Sequence, residues 1–153
     1  MDVIGGRIPM SALKPPQSMD WLDTRYTIHV AKAGPDGFSL FESTSPAGSG
    51  PPRHIHERED ETFYVLSGNV LFWTPEEQTV RREGETIFIP RGTEHTFRVQ
   101  DDGPATMLTV LTPGGFEGFF AEMAAGAFRI PEDMPAVEES ARRFHLRFTG
   151  PPL

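Results

Sequence analysis

Four residues in the middle of the chain have types and spacings suited to metal chemistry: His54, His56, Glu61 and His95. The segment His54-Ile55-His56 places two imidazoles two residues apart, and in a β-strand such residues point to the same face. Both rings can therefore converge on one ion, whereas on a helix they would diverge. Glu61 follows a short charged turn and opens the next apolar run, so its carboxylate can approach the same ion from an adjacent strand.

His95 is the fourth candidate donor, two residues into the strand that follows the turn Pro90-Arg91-Gly92. Proline sets φ in such a turn and glycine tolerates the backbone that follows. The chain has no cysteine, so a metal site must use His, Asp or Glu. Three imidazoles and one carboxylate suit one divalent transition metal ion, which can be Fe, Ni, Mn, Co, Cu or Zn, and these ligand types alone do not choose among them.

The other acidic and histidine side chains considered are interpreted as having no role in metal binding. Glu57, Glu59 and Asp60 lie in the turn before Glu61 and are interpreted as solvated charges. His29 and His145 stand apart from any set with metal-ligand spacing, and they are interpreted as surface or core residues.

The spacing of the candidate donors resembles the two motifs of the cupin superfamily. The first motif is Gly, five residues, His-x-His, three or four residues, Glu, six residues, Gly, and it is matched by Gly48, His54, His56, Glu61 and Gly68. The second is Gly, five residues, Pro-x-Gly, two residues, His, three residues, Asn, and it is matched by Gly84, Pro90, Gly92 and His95, with Val99 at the Asn position.

The resemblance implies an all-β fold, an antiparallel, jelly-roll-like cupin β-barrel with the metal inside. It implies that His54, His56, Glu61 and His95 are the metal ligands. The segments 115–120 and 150–152 are similar to those of small single-domain cupins related to quercetin 2,3-dioxygenase. The resemblance also implies a homodimer.

Short apolar runs separated by turn residues also predict antiparallel β structure, since Gly and Pro number 15 each. Strands are predicted at 26–32, 38–43, 62–66, 69–74, 86–89, 93–99 and 105–112, with 33–37 as the turn of a first hairpin. Helices are predicted at 116–127 and 135–144, the Phe residues of the first packing onto the barrel. We predict a single domain with an irregular arm (1–24), the barrel (25–115) and a short helical cap and tail (116–153).

Alternation along the predicted strands indicates what surrounds the metal. If Glu61 faces inward, Phe63 and Val65 do too, and a tight turn at Gly68-Asn69 places Phe72 inward opposite Val65. Phe97 lies two residues after His95 on its predicted strand, so its side chain is also expected to face inward. The sequence thus predicts a substrate pocket walled by Phe63, Phe72 and Phe97 with few spare polar groups, which favours an aromatic small molecule.

Three functions are compatible with these residues. The first is a metal-dependent dioxygenase acting on an aromatic or enolic compound, by resemblance a flavonol-type ring cleavage, with Glu61 as ligand and catalytic base. The second is a redox-neutral isomerase, cyclase or lyase, as in polyketide cyclases. The third is a non-catalytic cupin that binds a small molecule and holds a structural metal.

Composition limits the other partners. The chain of 153 residues has 14 Lys and Arg against 22 Asp and Glu, a net charge of −8, and without a basic run it is not expected to bind nucleic acid. Its apolar stretches are far shorter than the roughly 20 residues that span a bilayer, so no membrane role is expected. Residues 1–6 have neither a basic nor an apolar leader pattern, and we expect a cytoplasmic location.

Overall fold

The computed structural model describes residues 16–153, which fold mainly into β-strands with two short helices near the C-terminus. The strands are β1 (Gln17–Trp21), β2 (Thr24–Lys32), β3 (Phe38–Ser45), β4 (Arg53–His56), β5 (Asp60–Ser67), β6 (Asn69–Trp73), β7 (Gln78–Arg82), β8 (Thr86–Ile89), β9 (Thr96–Val99), β10 (Ala105–Thr112) and β11 (Leu146–Gly150). The helices are α1 (Glu117–Gly126) and α2 (Met134–Arg143).

The described strands form three antiparallel sheets. The largest has the order β1-β2-β3-β10-β5-β8, and the others have the orders β7-β6-β9 and β11-β4. Strands β5 and β10 alternate between buried and more exposed residues, as expected for strands with one face toward a core. The predicted all-β antiparallel fold with short C-terminal helices is confirmed, including the β2–β3 hairpin.

Two apolar clusters form the core of the described residues. The first joins the inner faces of the six-stranded and three-stranded sheets through residues such as Phe63, Phe72 and Met107. The second joins β2, β3 and β10 to both helices and β11, through residues such as Phe41 and Phe119. Because the helices cover this second cluster, they are part of the core.

Some elements differ from the sequence predictions. Gln17–Trp21, expected in the irregular arm, is a strand paired with β2, and residues 1–15 of that arm lie outside the described residues. The edge strand β7 was not predicted, because its sequence Gln-Thr-Val-Arg-Arg is mostly polar. Strand β11 was also not predicted, yet it pairs with β4, which carries two of the candidate histidines.

The turn at Gly68-Asn69 is another correction. It does not form a hairpin, since β5 pairs with β8 and β10 while β6 pairs with β7 and β9. The chain instead crosses here from the six-stranded to the three-stranded sheet. Val65 and Phe72 both still point into the shared core, because each sheet turns its apolar face toward the other.

Within the described residues, the helices are too short and insufficiently apolar for either to cross a membrane.

Gly68 and Gly84 provide a matched test of this crossing, because both have φ near +84° (84° and 83°). A Cβ at Gly68 would lie 2.5 Å from the backbone oxygen of Pro104, whereas a Cβ at Gly84 would meet nothing within 4 Å. We expect Gly84→Ala to lower the free energy of unfolding by about 1 kcal/mol, from backbone strain alone. Gly68→Ala should cost about 3 kcal/mol, because the β10 backbone must also move.

Urea denaturation of both variants measures the difference. Equal losses of unfolding free energy in the two variants would show that close packing at Gly68 contributes nothing to stability.

Candidate metal centre and its cavity

His54 and His56 lie on β4 with their side chains buried on the same face, as their spacing predicts. Strand β11 holds β4 on one side, with His54 opposite Phe148 and His56 opposite Leu146. On the other side, His54 and His95 form an isolated antiparallel bridge, and each backbone N–H donates to the carbonyl of the other at 3.0 Å. The backbone itself therefore brings the third histidine beside the first.

Glu61 completes the group from β5, where its side chain is buried, with the residue only 4% exposed. One carboxylate oxygen lies 2.9 Å from His56 Nε2 and the other 3.4 Å from His95 Nε2. One potential ligand atom from each of His54, His56, Glu61 and His95 lies within 4.8 Å of all the others. The structure thus brings together all four residues that the sequence selects.

The outer ring nitrogens of two histidines are held by backbone carbonyls. His54 Nδ1–H donates to the carbonyl of Pro52 at 2.7 Å, and His95 Nδ1–H donates to the carbonyl of Thr93 at 2.8 Å. Because a carbonyl can only accept, these bonds place the proton on Nδ1 and leave the Nε2 lone pair directed at the other ligands. This is the arrangement that orients histidine for metal coordination.

One buried atom indicates that the group is built for an ion. His95 Nε2 is buried and has no hydrogen-bond partner among the described residues, although it faces the Glu61 carboxylate. An unpartnered buried nitrogen is costly unless something binds it. Three imidazoles and one carboxylate fit a divalent transition metal, so the residues present are chemically suited to hold one.

Burial and the neighbouring charges shift the protonation of these side chains in opposite directions. Burial, helped by the nearby histidines, lowers the pKa of His54 to about 3. Burial alone would also lower the pKa of His56, but the Glu61 carboxylate and Glu59 raise it to about 9. For Glu61, burial is outweighed by His56 and His95, which hold the pKa of this carboxyl well below its usual range. The site is therefore a tightly coupled acid–base group.

Glu59 is a site residue that the sequence interpretation missed. It is not a solvated charge: the residue is only 6% exposed, and its Oε2 lies 3.7 Å from His56 Nδ1. Neither atom has a hydrogen-bond partner in the described part of the chain. Glu59 thus faces the outer nitrogen of His56 as a buried ionic neighbour, whereas the outer nitrogens of the other two histidines are hydrogen-bonded to carbonyls.

Its neighbours in the turn are the surface charges that the sequence predicts. Glu57 is exposed and pairs with Arg147 at 3.0 Å, and Asp60 pairs with Arg91 at 3.2 Å. The spacing of Glu59 three residues after His56 is the only local signal for its role. Nothing in the sequence separates that signal from the acidic residues on either side.

Replacing Glu59 with Ala should weaken metal binding about tenfold or more, because the outer nitrogen of His56 loses the buried carboxylate beside it. Competition with a chromophoric chelator measures the affinity directly. Glu57→Ala is the matched control, since it removes an exposed carboxylate from the same turn. Unchanged affinity in Glu59→Ala would show that this carboxylate does not support His56.

The metal centre opens onto a cavity of about 400 Å³. His54, His56 and Glu61 line it, and so do Phe63 and Phe97. Phe72, the third predicted wall residue, does not line it. Its ring lies 5.1 Å from that of Phe63 and 5.9 Å from that of Phe97 and packs in the core behind them.

Much of the cavity wall comes from distant segments. Apolar residues from outside the central strands line it, among them Trp21, Phe116, Phe119, Phe120, Leu146 and Phe148. The Phe116 ring stands edge-on to His56 at 4.6 Å, so the Phe residues of this region both pack onto the sheets and border the metal centre. The hydroxyls of Thr24, Ser43, Ser45 and Thr109 also line the cavity, and those of Thr24 and Ser45 are hydrogen-bonded to each other.

Comparison with known proteins agrees with this geometry. Residues 41–111 match the cupin domain family. The quercetin 2,3-dioxygenase of Bacillus subtilis is 35% identical over 99 residues, 64% of this chain and 29% of that protein. The quercetin 2,3-dioxygenase of Aspergillus japonicus is 33% identical over 98 residues, 59% of this chain and 27% of that protein. The matches thus span less than a third of the length of either relative.

The fold is also found in a solved structure. Pac13 from Streptomyces, described as a unique nucleoside dehydratase, superposes with a TM-score of 0.59 over 90% of this chain and 88% of Pac13, at 14% identity. At that identity the likeness shows a shared fold alone. Motif spacing and these matches show that residues 41–111 form a cupin domain, and they show that the chain resembles the quercetin 2,3-dioxygenases over this region.

Proposed function

We propose that this protein is a metal-dependent dioxygenase that acts on a flat aromatic or enolic small molecule, of which a flavonol is the type. The observation that carries the proposal is the position of the four-residue cluster. His54, His56 and Glu61 line a cavity whose remaining wall is mostly aromatic and aliphatic. The sequence similarity to two quercetin 2,3-dioxygenases supports the same reaction class.

The chain's own residues supply the ligands and the pocket. His54, His56, Glu61 and His95 would hold one divalent transition metal, which supplies Lewis acidity toward a substrate oxygen and, when redox-capable, the reaction with O2. The aromatic wall packs against a planar substrate and keeps water from the reacting atoms.

Glu61 is positioned to act as the catalytic base. Its two oxygens face the histidines, and the residue also lines the cavity, so one carboxylate borders both the ligands and the bound substrate. Because the neighbouring histidines outweigh burial and lower the pKa of Glu61, this carboxylate would accept the proton of a substrate hydroxyl whose own pKa a bound metal would lower, which leaves the substrate as the oxyanion that reacts.

Oxygen consumption tests the proposal. Protein stripped with a chelator is reconstituted separately with Fe, Ni, Mn, Co, Cu and Zn and mixed under air with a flavonol and a small panel of polyphenols. We expect uptake of one O2 per substrate with at least one redox-capable metal and none with Zn. Absence of uptake with every metal, although the compounds bind, would overturn the dioxygenase proposal.

A redox-neutral isomerisation, cyclisation or dehydration is the second candidate. The observation that favours it is that Glu61 and the coupled histidines can accept and return a proton with no oxidant. Mass spectrometry of anaerobic reactions with the Zn form distinguishes it, since the product would keep the substrate mass or lose only water. Binding without turnover in every metal form would instead indicate the non-catalytic cupin.

Homodimerisation and a cytoplasmic location stay predictions from the resemblance and the sequence. Light scattering coupled to size-exclusion chromatography measures the first, since a dimer of 17.0 kDa chains is readily separated from a monomer.

A further inference from the structure

Four buried residues with hydroxyl groups line the cavity. They are Thr24 on β2, Ser43 and Ser45 on β3, and Thr109 on β10. Because the rest of the wall outside the His/Glu cluster is mainly apolar, these hydroxyls give the cavity a second set of polar groups. A substrate held by aromatic packing alone would not need it.

The hydroxyl of Thr109, unlike those of Thr24 and Ser45, is buried without a partner among the described residues. Thr109 is 1% exposed. Thr24 and Ser45, by contrast, bond to each other at 3.0 Å. A buried hydroxyl without a partner destabilises the fold and requires an explanation. Since Thr109 lines the cavity, a ligand in the cavity is the available partner.

The register of the sheet places Thr109 close to the metal centre. Leu111 of β10 is the partner of Glu61 on β5, and Thr109 lies two residues along the same face, opposite Phe63. Two residues of a strand advance about 7 Å, and neighbouring strands lie about 5 Å apart, so the backbones of Thr109 and Glu61 are about 8 to 9 Å apart. Thr109 and Glu61 therefore line the same cavity at separate points, with Thr109 beside the aromatic Phe63.

We propose that Thr109 is a specificity-determining residue. It selects substrates that carry a second hydrogen-bonding oxygen or nitrogen at a distance of about 7 to 9 Å, the order of the backbone separation, from the substrate oxygen that faces the His/Glu cluster. This inference rests on the proposed function, in that it assumes that the substrate occupies this cavity with one oxygen at the cluster. It adds the requirement of a second polar group on a flat, otherwise apolar molecule.

Binding of two probes tests the inference without turnover. The probes are a naphthol with one hydroxyl and the dihydroxynaphthalene with one hydroxyl at the outer position of each ring. Affinities are measured by calorimetry under nitrogen on the Zn-loaded protein. We expect the wild type to bind the dihydroxy probe about five- to tenfold more tightly, the effect of one additional hydrogen bond to a buried hydroxyl. Thr109→Val should abolish this preference and leave the affinity for the naphthol unchanged.

Thr106→Val is the matched control, because Thr106 lies on the same strand and its side chain is on the opposite face. It should keep the wild-type preference. Unfolding of the ligand-free proteins is a second readout. Thr109→Val should be at least as stable as the wild type, because a methyl group replaces a hydroxyl without a partner.

Two results would overturn the inference. One is a wild-type protein that shows no preference between the probes, including one that binds neither. The other is a Thr109→Val protein that keeps the preference and is less stable, which would make the hydroxyl structural. Because no step uses O2, failure here is separate from failure of the dioxygenase proposal, which oxygen consumption decides.

Discussion

Replacing His56 with Ala is expected to lower metal affinity at least about 1000-fold, because loss of a supporting residue around a ligand already costs about 10- to 100-fold. His56 supplies one of the four converging donor atoms, and its Nε2 lies 2.9 Å from the Glu61 carboxylate. Without it, only two imidazoles and one carboxylate remain to bind the ion. Turnover should become undetectable.

Two measurements check this expectation. Metal content after dialysis should fall from about one ion per chain to almost none. A saturating metal at about 1000 times its Kd should also stabilise the wild type by about 4 kcal/mol, and this increase in unfolding free energy should be absent from His56→Ala. Circular dichroism establishes that the variant is folded.

His29→Ala is the control, because His29 is exposed on β2 and is not part of the cluster. It should keep the metal and the metal-dependent stabilisation. A His56→Ala protein that binds metal as tightly as the wild type would refute the four-ligand site, whatever its activity.

Glu61→Gln is expected to reduce turnover about 100- to 10,000-fold, the usual contribution of a positioned acid–base group. The amide keeps the shape of the side chain and one oxygen donor but cannot accept the substrate proton. Metal affinity should fall much less than turnover. Steady-state kinetics at saturating metal, together with a chelator titration, separate the two effects.

Glu59→Ala provides the contrast, since this carboxylate supports His56 but is not among the residues that line the cavity. It should weaken metal binding and leave kcat of the metal-saturated protein near the wild-type value. Full turnover in Glu61→Gln would show that Glu61 is not the base. A parallel loss of metal and turnover would show that it is a ligand only.

The four candidate ligands could be predicted because the signals for them, motif spacing and alternation along a strand, are local in the sequence. In β5 the alternation of a strand places Glu61, Phe63 and Val65 on one buried face, as the structure confirms. The two-residue spacing of His54 and His56 works in the same way on β4. These inferences needed only the knowledge that each segment is a strand, because side-chain direction then follows from parity.

The supports of the site were less predictable because they are distant in sequence. Strand β11 pairs with β4 across about ninety residues, with Leu146 opposite His56, and its short segment gives no separate signal. Trp21 reaches the C-terminal region, where its Nε1–H donates to the carbonyl of Phe128 at 2.7 Å. No periodicity within either segment predicts which partner it meets, since strand pairing depends on the whole chain.

The sequence by itself determined the antiparallel β architecture, the four candidate ligands and the inward direction of Phe63 and Phe97, because strand parity and motif spacing are properties of neighbouring residues. Only the tertiary structure decided that Glu59 is buried beside His56, that Phe72 lies behind the cavity, and that Thr109 faces the cavity without a partner. Burial and hydrogen-bond partners depend on which elements pack together, and that packing is settled by contacts between residues far apart in the chain.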